Sequence, residues 1–364
     1  MIPFTRPYFP EEMREEILRN MAGVFETGRL MMGPYAAKAE AAFAVATGCK
    51  NAVSLNSATT GLQICLRFAE AQGKDVIVPA ASFVTDAGAV LMEGGNVVFA
   101  DCDPKTLALD PADLARKLTP DTAAIIWVHL TGYISEDYAK IQTLAKQAGA
   151  LLIEDASHAH GAHRDGTLSG GFGDAGVFSF YPTKVVTSGT GGMLTTDRED
   201  IAEYAKSLRL FGKDDATGEI VRLGNDWFMD EIRACVAASQ IERLQEIVAM
   251  RQTIAAKYLE RLRGKSGLRL LGPSNAHAPS WYQFPVFLEG SKDSSAVIGD
   301  LKERGVTAKK IYKPLHHEPL FSEYGNDSLT GSVELLETSL CLPMMPDMTD
   351  QEIDAVCSAV AGVI

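Results

Sequence analysis

Seven short aliphatic runs separated by helical patterns constrain this chain more than any other feature. They lie at 52–55, 75–78, 97–100, 123–128, 150–153, 177–180 and 192–195. Several are unbroken β-branched or aliphatic stretches, without the alternation of a strand that has one wet face. Such runs read as strands covered on both sides. Between them, Leu62, Cys65, Leu66 and Ala69 fall on one side of a helix, as do Ile141, Leu144 and Ala145 before Gly149. Strand, helix, strand in this order predicts an α/β fold with a mainly parallel sheet and right-handed crossovers.

At residue 230 the composition shifts to helix formers that run to 263. Ile232, Val236, Ser239, Leu244 and Ile247 mark an expected buried stripe, and Gly264 is the stop. The last hundred residues read as a smaller α/β unit. It has a strand at 282–287, a helix at 295–304, and a final helix opened by the capping box of Thr349 and Glu352. A chain of 364 residues exceeds one ordinary core. The expected division is a large unit, 1–245, and a small C-terminal unit, 246–364.

Charge removes some partners. With 34 Lys and Arg against 47 Asp and Glu, and no basic block, neither nucleic acid nor an anionic membrane is expected. No apolar stretch approaches the roughly 18 residues of a membrane span. The first residues lack the basic segment and apolar core of a signal peptide. Six cysteines are scattered with no C-x-x-C pair, which reads as reduced thiols in a cytoplasmic protein.

Chemistry concentrates in two segments about 30 residues apart: Glu154-Asp155-Ala156-Ser157-His158-Ala159-His160-Gly161 and Phe178-Ser179-Phe180-Tyr181-Pro182-Thr183-Lys184. Lys184 follows a strand and precedes a glycine-rich turn, 188–192. Asp155 follows a second strand, at the carboxyl end where ligands of open α/β sheets gather. A lysine and a carboxylate so placed suit a pyridoxal 5'-phosphate site, one forming a Schiff base and the other holding the pyridine nitrogen protonated. The plainer reading is a surface lysine and a helix-capping aspartate. Asp155, His158, His160 and His163 also resemble a metal cluster, but their spacing fits no standard zinc pattern and no cysteine pair is near. Small residues at 56–61, between a strand and a helix, suit an anion at the helix N-terminus or serve as a plain cap. Ser179 reads as another hydroxyl for that anion or as the polar position of a half-buried strand. Phe83 reads as a stacking aromatic or a core one.

Taken together, these segments resemble the DegT/DnrJ/EryC1/StrS family of sugar aminotransferases, which adopt the aspartate aminotransferase (type I) fold. Thr27-Gly28-Arg29-Leu30 with Gly33-Pro34, Val78-Pro79 with Ser82-Phe83, and Val128-His129-Leu130-Thr131-Gly132 support the resemblance. So do Tyr312-Lys313-Pro314-Leu315-His316 and the run from Ser339 to Pro343. The resemblance implies that Lys184 is the Schiff-base lysine, Asp155 the pyridinium partner and His158 the contact near the phenolate. It implies that Ala58, Thr59 and Thr60 cradle the phosphate, Ser179 adds a hydroxyl, and Phe83 stacks on the ring. It further implies a homodimer whose sites are completed by the partner subunit.

Three segments depart from the family pattern. The usual G-x-N-x-R-M reads Gly224-Asn225-Asp226-Trp227-Phe228-Met229, and R-x-H-G reads Arg209-Leu210-Phe211-Gly212. Ala58 stands where glycine is common. Fewer cations therefore remain to meet a diphosphate, and a carboxylate at 226 repels a phosphate unless it turns away. The expected activity is transfer of an amino group, from glutamate, to a keto-sugar, nucleotide-linked, or to a related cyclitol ketone. The alternatives are a dehydratase on the same cofactor, disfavoured by lysine at 184, and a non-catalytic regulatory or partner protein.

Overall fold

A computed structural model describes residues 1–290, 293–325 and 329–364. Its central sheet has seven strands: β1 (Asn51–Leu55), β2 (Asp75–Pro79), β3 (Asn96–Ala100), β4 (Thr122–Val128), β5 (Leu151–Asp155), β6 (Ala175–Ser179) and β7 (Gly192–Thr196). Their order is β1-β7-β6-β5-β4-β2-β3. Every neighbouring pair is parallel except the two that β7 makes, with β1 and with β6. The aliphatic runs have a direct physical cause. Val76, Val78, Ala124, Ile126, Ile153 and Val177 join a core on one face, and Ile77, Ile125, Trp127, Leu152 and Phe178 join a core on the other. Helices cover both faces, so neither set of alternating side chains meets water.

The helices around the sheet include α1 (Pro34–Thr47), α2 (Ala58–Phe68), α3 (Val84–Met92), α4 (Glu231–Glu242) and α5 (Leu244–Leu262). The side of α2 expected to be buried is buried at Leu62, Cys65 and Leu66, whereas Ala69 lies just past the helix end. The stretch from 230 to 263 differs from its expected single stripe. It breaks at Arg243 into α4 and α5, and Ile232 and Val236 are only half-buried. The packed side of α4 is instead Glu231, Ala234, Cys235, Ala237 and Ala238. Periodicity read from large aliphatics misses such a face, because small residues are what let α1 approach. The Glu231 carboxylate accepts from the amides of Gly33, Tyr35 and Ala36 at 3.0, 2.8 and 2.9 Å and so caps α1 from outside.

In the C-terminal part, β8 (Leu268–Leu270), β9 (Phe284–Leu288) and β10 (Ser339–Leu342) form an antiparallel sheet in that order. Further helices there span Ser294–Glu303 and Asp350–Ala361. The capping box is present: Glu352 N–H donates to Thr349 Oγ1 at 3.2 Å, and Thr349 N–H donates to Glu352 Oε2 at 2.9 Å. The chain start also reaches this part, through a bridge between Ile2 and Val306 and a bond from Met344 N–H to the Phe4 carbonyl. Among the described residues, no helix is long and apolar enough to cross a membrane.

Candidate active site

Adjacent residues on a strand point to opposite faces, and β5 ends on two carboxylates. Glu154 turns away from the sheet's carboxyl edge and is fully buried. It accepts from the amides of Gly170, Phe172 and Gly173 and lies 2.9 Å from His129 Nε2. Asp155 turns the other way, into a cavity of about 310 Å3, and Ser157 N–H donates to its Oδ1 at 2.9 Å. The sequence places Asp155 just past a strand; it is the strand's last residue.

From β6 the chain turns back on itself, with Lys184 N–H bonded to the Tyr181 carbonyl at 3.0 Å. Lys184 thereby lines the same cavity, its Nζ 4.9 Å from the centre of the Tyr282 ring. Burial lowers its pKa to about 8, against the opposing pull of Asp155 and Asp86. His158 stacks on Tyr282 with ring centres 4.1 Å apart. Its Nδ1 accepts from Thr131 N–H at 3.3 Å, and its Nε2 lies 3.1 Å from the Tyr312 hydroxyl. Burial first, and then the charge of Lys184, hold His158 well below its ordinary pKa, so it is a neutral imidazole.

The N-terminus of α2 closes one end of the cavity. Ser57 is its N-cap, accepting from Thr60 N–H at 3.2 Å, and Ser57, Ala58 and Thr59 line the wall beside Ser179, Thr190 and Gly191. Thr60 does not line it. It is buried, and its hydroxyl donates to Asn56 Oδ1 at 2.6 Å. Gly192 pairs with Leu55, and a Cβ there would stand 2.3 Å from the Ser57 backbone. Glycine is therefore what lets the strand edge and the α2 turn lie together. Phe83 stands at the rim, with its ring centre 5.5 Å from that of Tyr312.

His160 does not join the cluster at the cavity. It sits in an aromatic box of Phe43, Phe178 and Phe180, with ring centres 5.2 to 6.1 Å away, and burial lowers its pKa to about 3. His163 lies on a short strand of a separate small sheet. Among the described residues, no group of three or more His, Cys, Asp or Glu is placed to hold a metal ion. The departures at Phe211 and Phe228 pack on each other, edge to face, with centres 6.4 Å apart. Asp226 is exposed and lies outside the cavity lining.

Tyr282, Thr183 and Asp86 escape the sequence reading. Tyr282 opens what reads as a strand 98 residues after Lys184, and only folding brings its hydroxyl within 3.0 Å of Thr183 Oγ1. No local signal marks it.

The cavity residues fit pyridoxal phosphate. A helix N-terminus with hydroxyls suits the phosphate, Asp155 a ring nitrogen, and a lysine amine of lowered pKa an aldehyde. Only the unprotonated amine adds to an aldehyde. Capture of pyridoxal phosphate by the empty protein is therefore expected to accelerate about tenfold per pH unit and level off near pH 8. Stopped-flow absorbance between pH 6 and 10 checks this; a rate still climbing tenfold per unit above pH 9 contradicts it.

Residues 11–361 match the family described as the DegT/DnrJ/EryC1/StrS aminotransferase family. GDP-perosamine synthase of Caulobacter vibrioides is 33% identical over 339 residues, covering 92% of this chain and 91% of that protein. The solved structure of the aminotransferase TlmJ from Streptoalloteichus hindustanus superposes with a TM-score of 0.91 at 32% identity, covering 100% of this chain and 98% of that one. DesV of S. venezuelae, solved in complex with a ketimine intermediate, superposes at 0.92 with 29% identity, covering 99% and 98%.

Proposed function

The chain belongs to the DegT/DnrJ/EryC1/StrS aminotransferase family, and from that membership we propose that it moves an amino group from glutamate to the keto carbon of a sugar, nucleotide-linked, or of a related cyclitol. It is a pyridoxal-phosphate-dependent aminotransferase with the type I fold. One observation carries the reading of the site: Asp155, at the end of β5, and Lys184, in the turn after β6, open into one cavity closed by the α2 N-terminus.

When bound, the cofactor supplies an electron sink for the carbon losing its proton. The protein's part is to hold and to move protons. Ser57, Ala58, Thr59 and Ser179 receive the phosphate, with Thr60 fixing the α2 turn behind them. Asp155 keeps the ring nitrogen protonated. With the cofactor bound, Lys184 Nζ would take and hold the proton from the amino donor's α-carbon, a role worth about 10²–10⁴-fold. His158, held at both nitrogens, bounds the ring near its phenolate, and Phe83 closes the outer face. We assign these roles within a large unit, 1–245, and a smaller one, 246–364, the first few residues crossing to the second.

We also read the protein as a cytoplasmic homodimer. The exposed Phe211, Ile220, Val221 and Leu223 favour a second copy of the chain, and the six buried free thiols favour a reducing compartment.

The test is spectral and then chemical. Glutamate should convert the bound cofactor to its aminated form, and a panel of nucleotide-linked sugars, free sugars and cyclitol ketones should reverse it with one class preferred. A silent spectrum with glutamate would sink amino transfer. Loss of water without an amine product would identify the dehydratase, and absence of any cofactor band a non-catalytic chain.

A further inference from the structure

Asp86 is an ionisable group to which amino transfer assigns no task. It lies in the first turn of α3, right behind Phe83, and is fully buried. Neither of its carboxyl oxygens has a hydrogen-bond partner of ordinary geometry, and nor does Ser82 Oγ beside it. The groups that act on it are the Asp155 carboxyl, the Ser82 hydroxyl and the charge of Lys184. Tyr312 feels its charge from the C-terminal part. Asp86 does not line the cavity; it acts on the groups there through its contact with Asp155 and through its charge, which Lys184 also feels.

Two ionised carboxylates cannot hydrogen-bond each other, because neither has a donor. Side by side and out of water, they share one proton. Lys184 is a cation that both act on, and its amine is committed to the cofactor once that is bound. The first turn of α3 favours a negative charge at Asp86, but only by the modest amount typical of a helix end. Desolvation is the larger effect. Burial, and then the charge of Asp155, push the Asp86 pKa well above the usual carboxyl range.

We propose that Asp86 is a protonated carboxylic acid that donates a hydrogen bond to Asp155 and so sets how tightly Asp155 holds the cofactor's ring nitrogen. Asp86 is then a positioning residue. A donor on Asp155 spreads its charge and weakens its pull on the ring proton; without that donor the pull strengthens. The inference rests on Asp155 being the partner of that nitrogen, but the proton on Asp86 is measurable without the cofactor.

The first arm of the test uses the full chain stripped of pyridoxal phosphate. An infrared difference spectrum at pH 7 between wild type and Asp86→Asn should contain one protonated-carboxyl band that belongs to the wild type. The folded wild type keeps a proton that its unfolded form releases near pH 4. Its stability is therefore greatest below that pH and is lost as pH rises towards the folded value. Relative to Asp86→Asn, its folding equilibrium constant should fall about tenfold per pH unit between pH 5 and 7. No such band, with parallel stability curves, overturns the proposal.

The second arm adds the cofactor. Asp86→Asn retains an N–H donor, so the pH midpoint of the bound cofactor's absorbance should stay within about 0.3 unit. Asp86→Ala loses the donor, and the midpoint should move up by about one unit, a tenfold change in that proton's equilibrium. Equal shifts in both variants overturn the coupling to Asp155. Should neither protein bind pyridoxal phosphate, the reading of the site fails, while the first arm still decides the state of Asp86.

Discussion

Lys184→Ala is expected to abolish amino transfer and the absorbance of lysine-bound cofactor while leaving the fold intact. No other amine lines the cavity among the described residues. Lys313, nearby in the C-terminal part, is paired with Glu318 at 3.3 Å. His158 cannot substitute as a base, because Thr131 and Tyr312 hold both its nitrogens and its surroundings keep it neutral. Loss of proton transfer alone costs about 10²–10⁴-fold, and loss of covalent capture adds to it. Burial already disfavours the Lys184 ammonium, so its removal relieves a desolvated charge and the protein should stay folded. Turnover measured beside circular dichroism checks both halves. A folded Lys184→Ala that still transfers amino groups at the wild-type rate would refute the assignment.

The second large effect is structural and falls one residue from the site. Glu154→Ala should destabilise the protein by about 3–5 kcal/mol, because it strips a buried acceptor from three backbone amides and His129 at once. Those amides belong to the turn from Gly170 to Gly173, which leads into β6 and so towards Lys184. At about 2–4 °C per kcal/mol, Tm should drop by roughly 10 °C. Glu154→Gln, which keeps one carbonyl oxygen, should lose about half as much. Calorimetry on both variants is the check, and a Tm within a degree of wild type for the alanine variant would show the contacts to be worth little.

Glu154 and Asp155 also show where sequence reading ends. Their adjacency on a buried strand is enough to say that they face opposite ways, because side chains alternate along β structure. Residue order does not reveal that one side meets a glycine-rich turn and the other a cavity. The same limit applies along α4. Of its expected stripe, Ser239 is buried but Ile232 and Val236 are only half-buried, because the closest packing uses alanines and Glu231, which carry no hydrophobic signal. Thr60 is legible as part of the turn before α2, but its hydroxyl goes to Asn56 and not to the cavity. Tyr282 and Asp86 have no local mark at all. Tyr282 comes from a segment 98 residues after Lys184. Asp86 reads as an ordinary acidic residue in the first turn of a helix.

What residue order carried was everything that depends on near neighbours. Aliphatic runs imply strands covered on two faces, a glycine or serine before a helix implies its start, and a lysine and an aspartate at strand ends imply chemistry at the sheet's carboxyl edge. What came from folding was everything that depends on which ends meet. The antiparallel insertion of β7 beside β6 sets Gly192 against Ser57. The return of the C-terminal part lays Tyr282 and Tyr312 over His158. The packing of α3 beside β2 and β3 brings a second carboxyl to Asp155. Burial and proximity, which no single segment contains, turn Asp86 from a first-turn helix charge into a proton holder.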